Sequence, residues 1–428
     1  MNWRMKGRMD VSEASLEHDK GLPERVAFLL DNLNGGGAER VILDIAEGFS
    51  ALGYDVDLLV CEARGVLLDS IPTSINLVVL NPTNQLSGLW AALGASGSGL
   101  SAILSCIASI RKIPRSFRFI PAIGEYLQRV RPSVLLSALP KSNIAAVLAQ
   151  ARAGVNTRVF VGAHISMLVR SQQGLETGRG QFHHMIPLLR HCYSRAAGVI
   201  AVSEGVAEDA VSFLQIDPHR VHVVYNPVTV REPVEEKNKP PSHRWFVPSA
   251  APVVLGIGRL VAQKNFRLLV EAFARVRQHA DIRLIILGGD ESSAEQMAHR
   301  KELQELAAGL GVGSDVDLPG YQPNPHRYLR AARMFVLSSD YEGFGNVIVE
   351  ALLAGCPVVS SDCPSGPAEI LDNGRYGLLT PVNDVEQLAA AIVATLDTIP
   401  ERQKLLERGL EFSLERAVEG YHRLFFDN

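Results

Sequence analysis

The stretch RVAFLLDNLNGGGAERVILDIAEGFSALGYDVDLLVC, from Arg25 to Cys61, holds one complete cycle of an alternating pattern. Val26 to Leu30 is an unbroken apolar run of strand length, as a strand buried on both faces requires. Asn34-Gly35-Gly36-Gly37 interrupts it, and Ala38 opens a helix whose Val41, Ile42, Ile45, Ala46 and Phe49 share one face. Gly53 ends that helix, and Asp55 to Cys61 reads as the next strand. Strand, helix and strand in this order predict a parallel sheet covered on both faces.

Working outward, the chain repeats this pattern twice over. Further apolar runs at Val134 to Leu136 and Val159 to Ala163 extend the first half. After Tyr225-Asn226-Pro227, residues 229–248 are rich in proline and charge, the composition of a linker. Val253 to Gly256 then starts a second set, followed by a helix over Asn265 to Arg277 and strands at Ile282 to Leu287, Phe335 to Ser338 and Pro357 to Ser360. The fold class is α/β, with two Rossmann-like parallel-sheet domains over 24–228 and 249–410 and a last helix over 411–428. In such sheets ligands bind beyond the carboxyl ends of the strands.

Composition narrows the class further. A chain of 428 residues with 47% hydrophobic residues has core enough for two or three domains, and a net charge of −4 gives no argument for nucleic acid. The scattered Cys61, Cys106, Cys192, Cys356 and Cys363 fit no zinc spacing and read as buried, reduced thiols. Residues 1–23 are polar and lack an apolar core segment, so they read as a disordered extension and not as a signal peptide or anchor. The expected compartment is the cytoplasm.

The densest chemistry lies in Asp340-Tyr341-Glu342-Gly343-Phe344-Gly345-Asn346, followed by Val347 and Glu350. Gly343 and Gly345 allow a sharp turn and a close approach to a ligand. The helix that begins at Asn346 would offer its amide groups to a phosphate. The offset between Glu342 and Glu350 separates two carboxylates along a ligand that spans the loop and the first turn. Arg259 and Lys264, on a loop after a strand with Gly258, are placed to neutralise a diphosphate leaving group.

These residues resemble the signature of retaining glycosyltransferases of the GT-B fold, family 4. Glu342 and Glu350 form its E-x7-E pattern around the Gly343-Phe344-Gly345 turn. Gly35-Gly36-Gly37-Ala38-Glu39-Arg40 resembles its glycine-rich loop, and Val202-Ser203-Glu204-Gly205 and Tyr225-Asn226-Pro227 resemble later turns. Gly256-Ile257-Gly258-Arg259-Leu260 with Lys264-Asn265, and Asn373-Gly374, Gly377-Leu378-Leu379 and Asn383-Asp384, continue the series in order. The resemblance implies an N-terminal acceptor domain and a C-terminal sugar-nucleotide domain facing each other across a cleft, with the last helix crossing back to the first domain. It implies transfer of a hexose or N-acetylhexosamine from a UDP-sugar to a saccharide or lipid-linked saccharide, with retention and without a metal. Glu350 would bind ribose, Arg259 and Lys264 the diphosphate, and Glu342 with the Gly343 to Asn346 backbone the donor sugar. Gly36 and Gly37 would approach the donor from the first domain, and His164 would hydrogen-bond the sugar or leaving group. The Pro364-Ser365-Gly366-Pro367-Ala368-Glu369 loop would line the sugar. A nucleotide-sugar 2-epimerase of the same fold and a catalytically silent sugar-nucleotide-binding protein are the alternatives.

Three further patterns bear on partners. Asp55-Val56-Asp57 and Asp315-Val316-Asp317 are D-x-D strings at the start of a strand and before a turn, and read as chance. His183, His184 and His191 have near-helical spacing without a carboxylate to complete a metal set. Between Leu86 and Ile110 an apolar series that includes Trp90 and Leu104 precedes a segment, Arg111 to Arg131, with six basic residues and one acidic. That combination suits either an anionic membrane surface, at the inner face of the cytoplasmic membrane, or an ordinary helical pair with solvated arginines.

Overall fold

The computed structural model describes residues 24–176, 182–231, 239–247, 250–290, 292–398 and 401–427, without the side chains of 173–176. The extension read over 1–23 lies outside the described residues. The chain divides into two compact units, Met1–Pro227 with Leu414–Asn428, and Val228–Ser413.

The first unit is built on β1 (Arg25–Leu30), β2 (Asp55–Val60), β3 (Ile75–Val79), β4 (Val134–Ala138), β5 (Arg158–Ala163), β6 (Gly198–Ala201) and β7 (Val221–Val223). They pair in the order β3-β2-β1-β4-β5-β6-β7, parallel throughout. Val26, Ala27, Phe28, Leu29 and Leu30 are all fully buried, which is why β1 carries no polar alternation. The chain's last helix, Leu414–Phe426, belongs to this unit. Its Tyr421 and Phe425 are buried, and the Phe425 ring sits 5.4 Å from Phe49 and 5.0 Å from Phe160. Arg158 Nη1 donates to the Phe425 carbonyl at 2.8 Å, satisfying one of the helix's last acceptors.

The second unit carries β8 (Val253–Ile257), β9 (Arg283–Leu287), β10 (Val316–Gly320), β11 (Met334–Leu337), β12 (Val358–Ser361) and β13 (Leu378–Thr380). Their order is β10-β9-β8-β11-β12-β13, again parallel. In each sheet the strand order reverses direction beside the first strand, at β1 and at β8. A reversal of this kind leaves a crevice at the carboxyl ends of the strands.

Within the segment read as a linker, 229–248, the described residues 239–247 pack against the second unit. Within 239–247, the buried His243 ring bonds Asp317 at 2.9 Å and Phe246 packs edge-on against Tyr328 at 5.7 Å. Proline and charge masked two ring-bearing residues, His243 and Phe246, that anchor this stretch to the second unit. Both D-x-D strings are engaged locally. Asp57 is buried and accepts from Tyr126 at 2.6 Å and Asn76 at 2.9 Å, while Asp315 pairs with Arg277 and Arg283. The five cysteines are free and buried.

Candidate functional site

Loops from adjacent strands of the second unit gather at their carboxyl ends. After β8 the chain passes Gly258 and Arg259 and reaches Lys264. The Lys264 stem lies against Gly258, where a β-carbon would fall 3.2 Å from it, so the absent side chain makes room for the lysine. Gly288, just after β9, adopts φ +121°, and a β-carbon there would fall 2.0 Å from the Gly258 carbonyl oxygen. Asn265 takes the left-handed conformation at φ +42° and caps the helix Phe266–Arg277 by accepting from the Leu268 amide. Its amide nitrogen donates to Asp340 at 2.7 Å and Asn383 at 2.6 Å, tying three loops together. Burial pushes the Asp340 carboxyl up, and the Asn265 bond opposes that shift.

Lys264 Nζ meets Glu342 Oε1 at 2.6 Å, with side-chain exposures of only 13% and 8%. Sequence reading set these two on separate parts of a donor; the structure makes them one buried ion pair. Arg259, by contrast, is exposed and in no ion pair among the described residues.

The turn that follows Glu342 uses the conformational freedom of Gly345. Gly345 sits at φ +102° and precedes the helix Asn346–Leu353. The Ile348 amide donates back to the Gly345 carbonyl at 2.8 Å, which takes one donor of the first turn out of use for a ligand. Val347 and Glu350 are half-buried on this helix. The Phe344 ring is buried 5.5 Å from Phe412, so the side chain is core and its backbone borders the turn. The loop after β12 lies hard against this turn. Gly366, at φ +104°, has the Phe344 carbonyl oxygen 1.8 Å from where a β-carbon would stand, and the Glu342 amide donates to the Pro364 carbonyl at 3.3 Å.

The first unit places a second group at its own strand ends. His164 follows β5, is buried, and has both ring nitrogens without a hydrogen-bond partner among the described residues. Burial lowers its pKa from 6.5 to about 4, so the ring is neutral at physiological pH. Gly162 makes room for it, since a β-carbon there would stand 2.8 Å from Nε2. The helix Met167–Glu176 after it is held by the buried Asp209, which accepts from the Met167 amide at 2.5 Å and the Leu168 amide at 3.2 Å. At the end of β1, Asp31 accepts from Ser142 at 2.8 Å. Gly36 precedes the helix Gly37–Ala51, and the Glu39 carboxylate occupies the space its side chain would need.

Sequence reasoning missed Ser338, Ser339 and Ser361, which surround the Lys264–Glu342 pair. Hydroxyl residues closing two apolar strands, Ser338-Ser339 and Ser360-Ser361, were the available signal. No group of three or more His, Cys, Asp or Glu side chains gathers as a metal set among the described residues; His183 instead bonds Ser171 at 2.8 Å.

Residues 35–232 match the family model described as Glycosyltransferase Family 4, and residues 251–398 the one described as Glycosyl transferases group 1. The chain belongs to this family of GT-B glycosyltransferases. It is 37% identical over 182 residues to the lipopolysaccharide core biosynthesis glycosyltransferase LpsE of Rhizobium meliloti, covering 41% of this chain and 50% of that one. It is 30% identical over 217 residues to an N-acetylgalactosaminyltransferase of Campylobacter jejuni whose named acceptor is a diphospho-undecaprenol-linked saccharide, covering 49% and 53%. The chain thus spans about half the length of the curated relatives it matches. Among solved structures, Anabaena HepE in complex with UDP and glucose superposes with a TM-score of 0.69 at 19% identity, over 94% of this chain and 98% of that one. The lipopolysaccharide outer core galactosyltransferase WaaB gives 0.67 at 19%, over 94% and 99%.

Proposed function

We propose that this protein transfers a hexose or N-acetylhexosamine from a UDP-sugar to a hydroxyl of a saccharide or lipid-linked saccharide, with retention of configuration, in the assembly of a surface polysaccharide. The observation that carries this reading is the buried Lys264–Glu342 pair beside the Gly345 helix start. As the bond from the anomeric carbon to the diphosphate breaks, negative charge grows on the leaving oxygen. Lys264 and Arg259 stabilise it there, and the helix amides add to the field. Glu342 accepts a hydrogen bond from a donor-sugar hydroxyl, and Glu350 binds the ribose. The acceptor oxygen bonds to the anomeric carbon on the face the diphosphate leaves, and its proton passes to the leaving phosphate. No metal takes part in this scheme. In the first unit, the neutral His164, with its unpartnered nitrogens, serves as a hydrogen-bonding group for substrate. LpsE and the Campylobacter enzyme, by their names, support the pathway and the lipid-linked acceptor, and the HepE complex supports the donor class.

The test is release of nucleoside diphosphate from a panel of sugar nucleotides, with and without saccharide acceptors. Lys264→Ala and Glu342→Gln each lower turnover about 100- to 1000-fold. Wild-type rates in both variants would contradict the assignment.

The reading extends to an anionic membrane as peripheral partner. No helix among the described residues is long and apolar enough to cross a bilayer. The helices Gln85–Ala95 and Leu100–Ile110 nevertheless leave Leu86, Trp90 and Leu104 exposed at 63%, 70% and 51%, and exposed Arg111, Lys112 and Arg115 follow them in sequence. Apolar side chains next to a basic cluster suit a headgroup interface. Co-sedimentation with phosphatidylglycerol vesicles should exceed that with phosphatidylcholine and fall in a Trp90→Ala, Leu104→Ser double variant. Equal binding to both lipids, or no change in the variant, contradicts this part.

A further inference from the structure

Glu342 has a second buried donor besides Lys264. Ser339, fully buried two residues beyond β11, gives its hydroxyl to Glu342 Oε1 at 2.6 Å. Lys264 meets that same oxygen, also at 2.6 Å. Both donors therefore fall on Oε1, and Oε2 makes no bond among the described residues. A carboxylate gripped on one oxygen from two sides cannot turn freely about its last torsion, so the remaining oxygen points one way.

The grip is itself supported from the neighbouring strand. Ser361, the last residue of β12 and fully buried, donates to the Ser339 carbonyl at 2.6 Å. Ser338 donates to the Lys264 carbonyl at 2.9 Å, so the backbone of the lysine is fixed by the same strand end. Hydroxyls closing two adjacent strands thus hold both members of the ion pair. Serine is costly in a buried strand end unless its hydroxyl is bonded, and each of these three is.

We propose that Ser339 is a positioning residue for sugar transfer, pinning Glu342 Oε1 so that Oε2 is presented to a hydroxyl of the donor sugar, with Ser361 holding Ser339 in place. This rests on the reading that Glu342 meets the donor sugar. Without the Ser339 hydroxyl, Glu342 keeps Lys264 and can rotate to give the ammonium both oxygens, withdrawing Oε2. The nucleoside diphosphate carries no donor sugar and does not feel this change.

The experiment compares wild type, Ser339→Ala, Ser339→Thr, Ser361→Ala and Glu342→Ala in sugar-nucleotide turnover, and measures nucleoside diphosphate affinity by calorimetry. Ser339→Ala should lower kcat about 10- to 100-fold, with diphosphate affinity within about threefold of wild type. Ser339→Thr, which keeps the hydroxyl, should recover most of kcat. If Ser339→Ala does not fold, Ser361→Ala carries the test, with about a three- to tenfold loss in kcat and unchanged diphosphate affinity. Wild-type kcat in whichever of these variants folds, beside an impaired Glu342→Ala, overturns the positioning role and leaves the transferase reading intact. Parallel loss of diphosphate affinity and turnover also overturns it, because Ser339 would then only be holding the fold. Wild-type turnover in Glu342→Ala, or none in the wild-type protein, removes the functional reading instead, and the inference with it.

Discussion

At Lys264 and Glu342 two opposite charges stand 2.6 Å apart, both largely withdrawn from water. Such a pair gains little net stability over apolar replacements, yet losing one partner strands the other and costs roughly 3–5 kcal/mol. Under the proposed function, the use for charge at that point is a diphosphate approaching the lysine. His164 poses the opposite case, a buried titratable ring with no hydrogen-bond partner among the described residues. Its folded-state pKa of about 4 lies below the unfolded 6.5, so between those values the unfolded chain binds more protons. The stability that the neutral ring confers is complete above pH 6.5 and is lost as pH falls towards 4, to a total of about 3 kcal/mol. Denaturant unfolding from pH 7.5 to 4 should show this loss in the wild-type protein and a shallower one in His164→Asn. Parallel curves would contradict the burial of an unpartnered ring.

Among the loops, backbone geometry sets the site more than side chains do. Gly366 and Gly374 share a left-handed conformation, at φ +104° and +97°, but differ in their surroundings. An alanine at Gly374 meets nothing nearer than 3.7 Å, whereas at Gly366 it meets the Phe344 carbonyl oxygen at 1.8 Å. Gly374→Ala should therefore cost about 1 kcal/mol for conformation alone, and Gly366→Ala roughly 2–4 kcal/mol, with displacement of the Gly345 turn. Thermal melts of the two variants check this, and equal losses would contradict it. The strands were legible because parallel strands buried on both faces must be apolar runs, as at Val26 to Leu30. The Gly345 turn was legible because only glycine suits its φ. The Lys264–Glu342 pair was not, since its partners lie 78 residues apart and only the pairing of β8 with β11 brings them together. Nor was the packing of 239–247, where Phe246 and His243 are outnumbered by prolines and charges.

Across the whole molecule the same construction occurs twice, a parallel sheet with its order reversing beside the first strand and polar loops at the carboxyl ends. The first unit is discontinuous, completed by Tyr421 and Phe425 from the end of the chain. The second holds the ion pair, the exposed Arg259 and the Gly345 helix start within one set of loops, and the account stands on a nucleoside diphosphate binding there. Calorimetric titration of UDP and other nucleoside diphosphates into the wild-type protein and Lys264→Ala tests this most directly. The account predicts saturable binding of at least one of them, weakened about tenfold or more by Lys264→Ala. No binding of any nucleoside diphosphate, or undiminished affinity in Lys264→Ala, would contradict it.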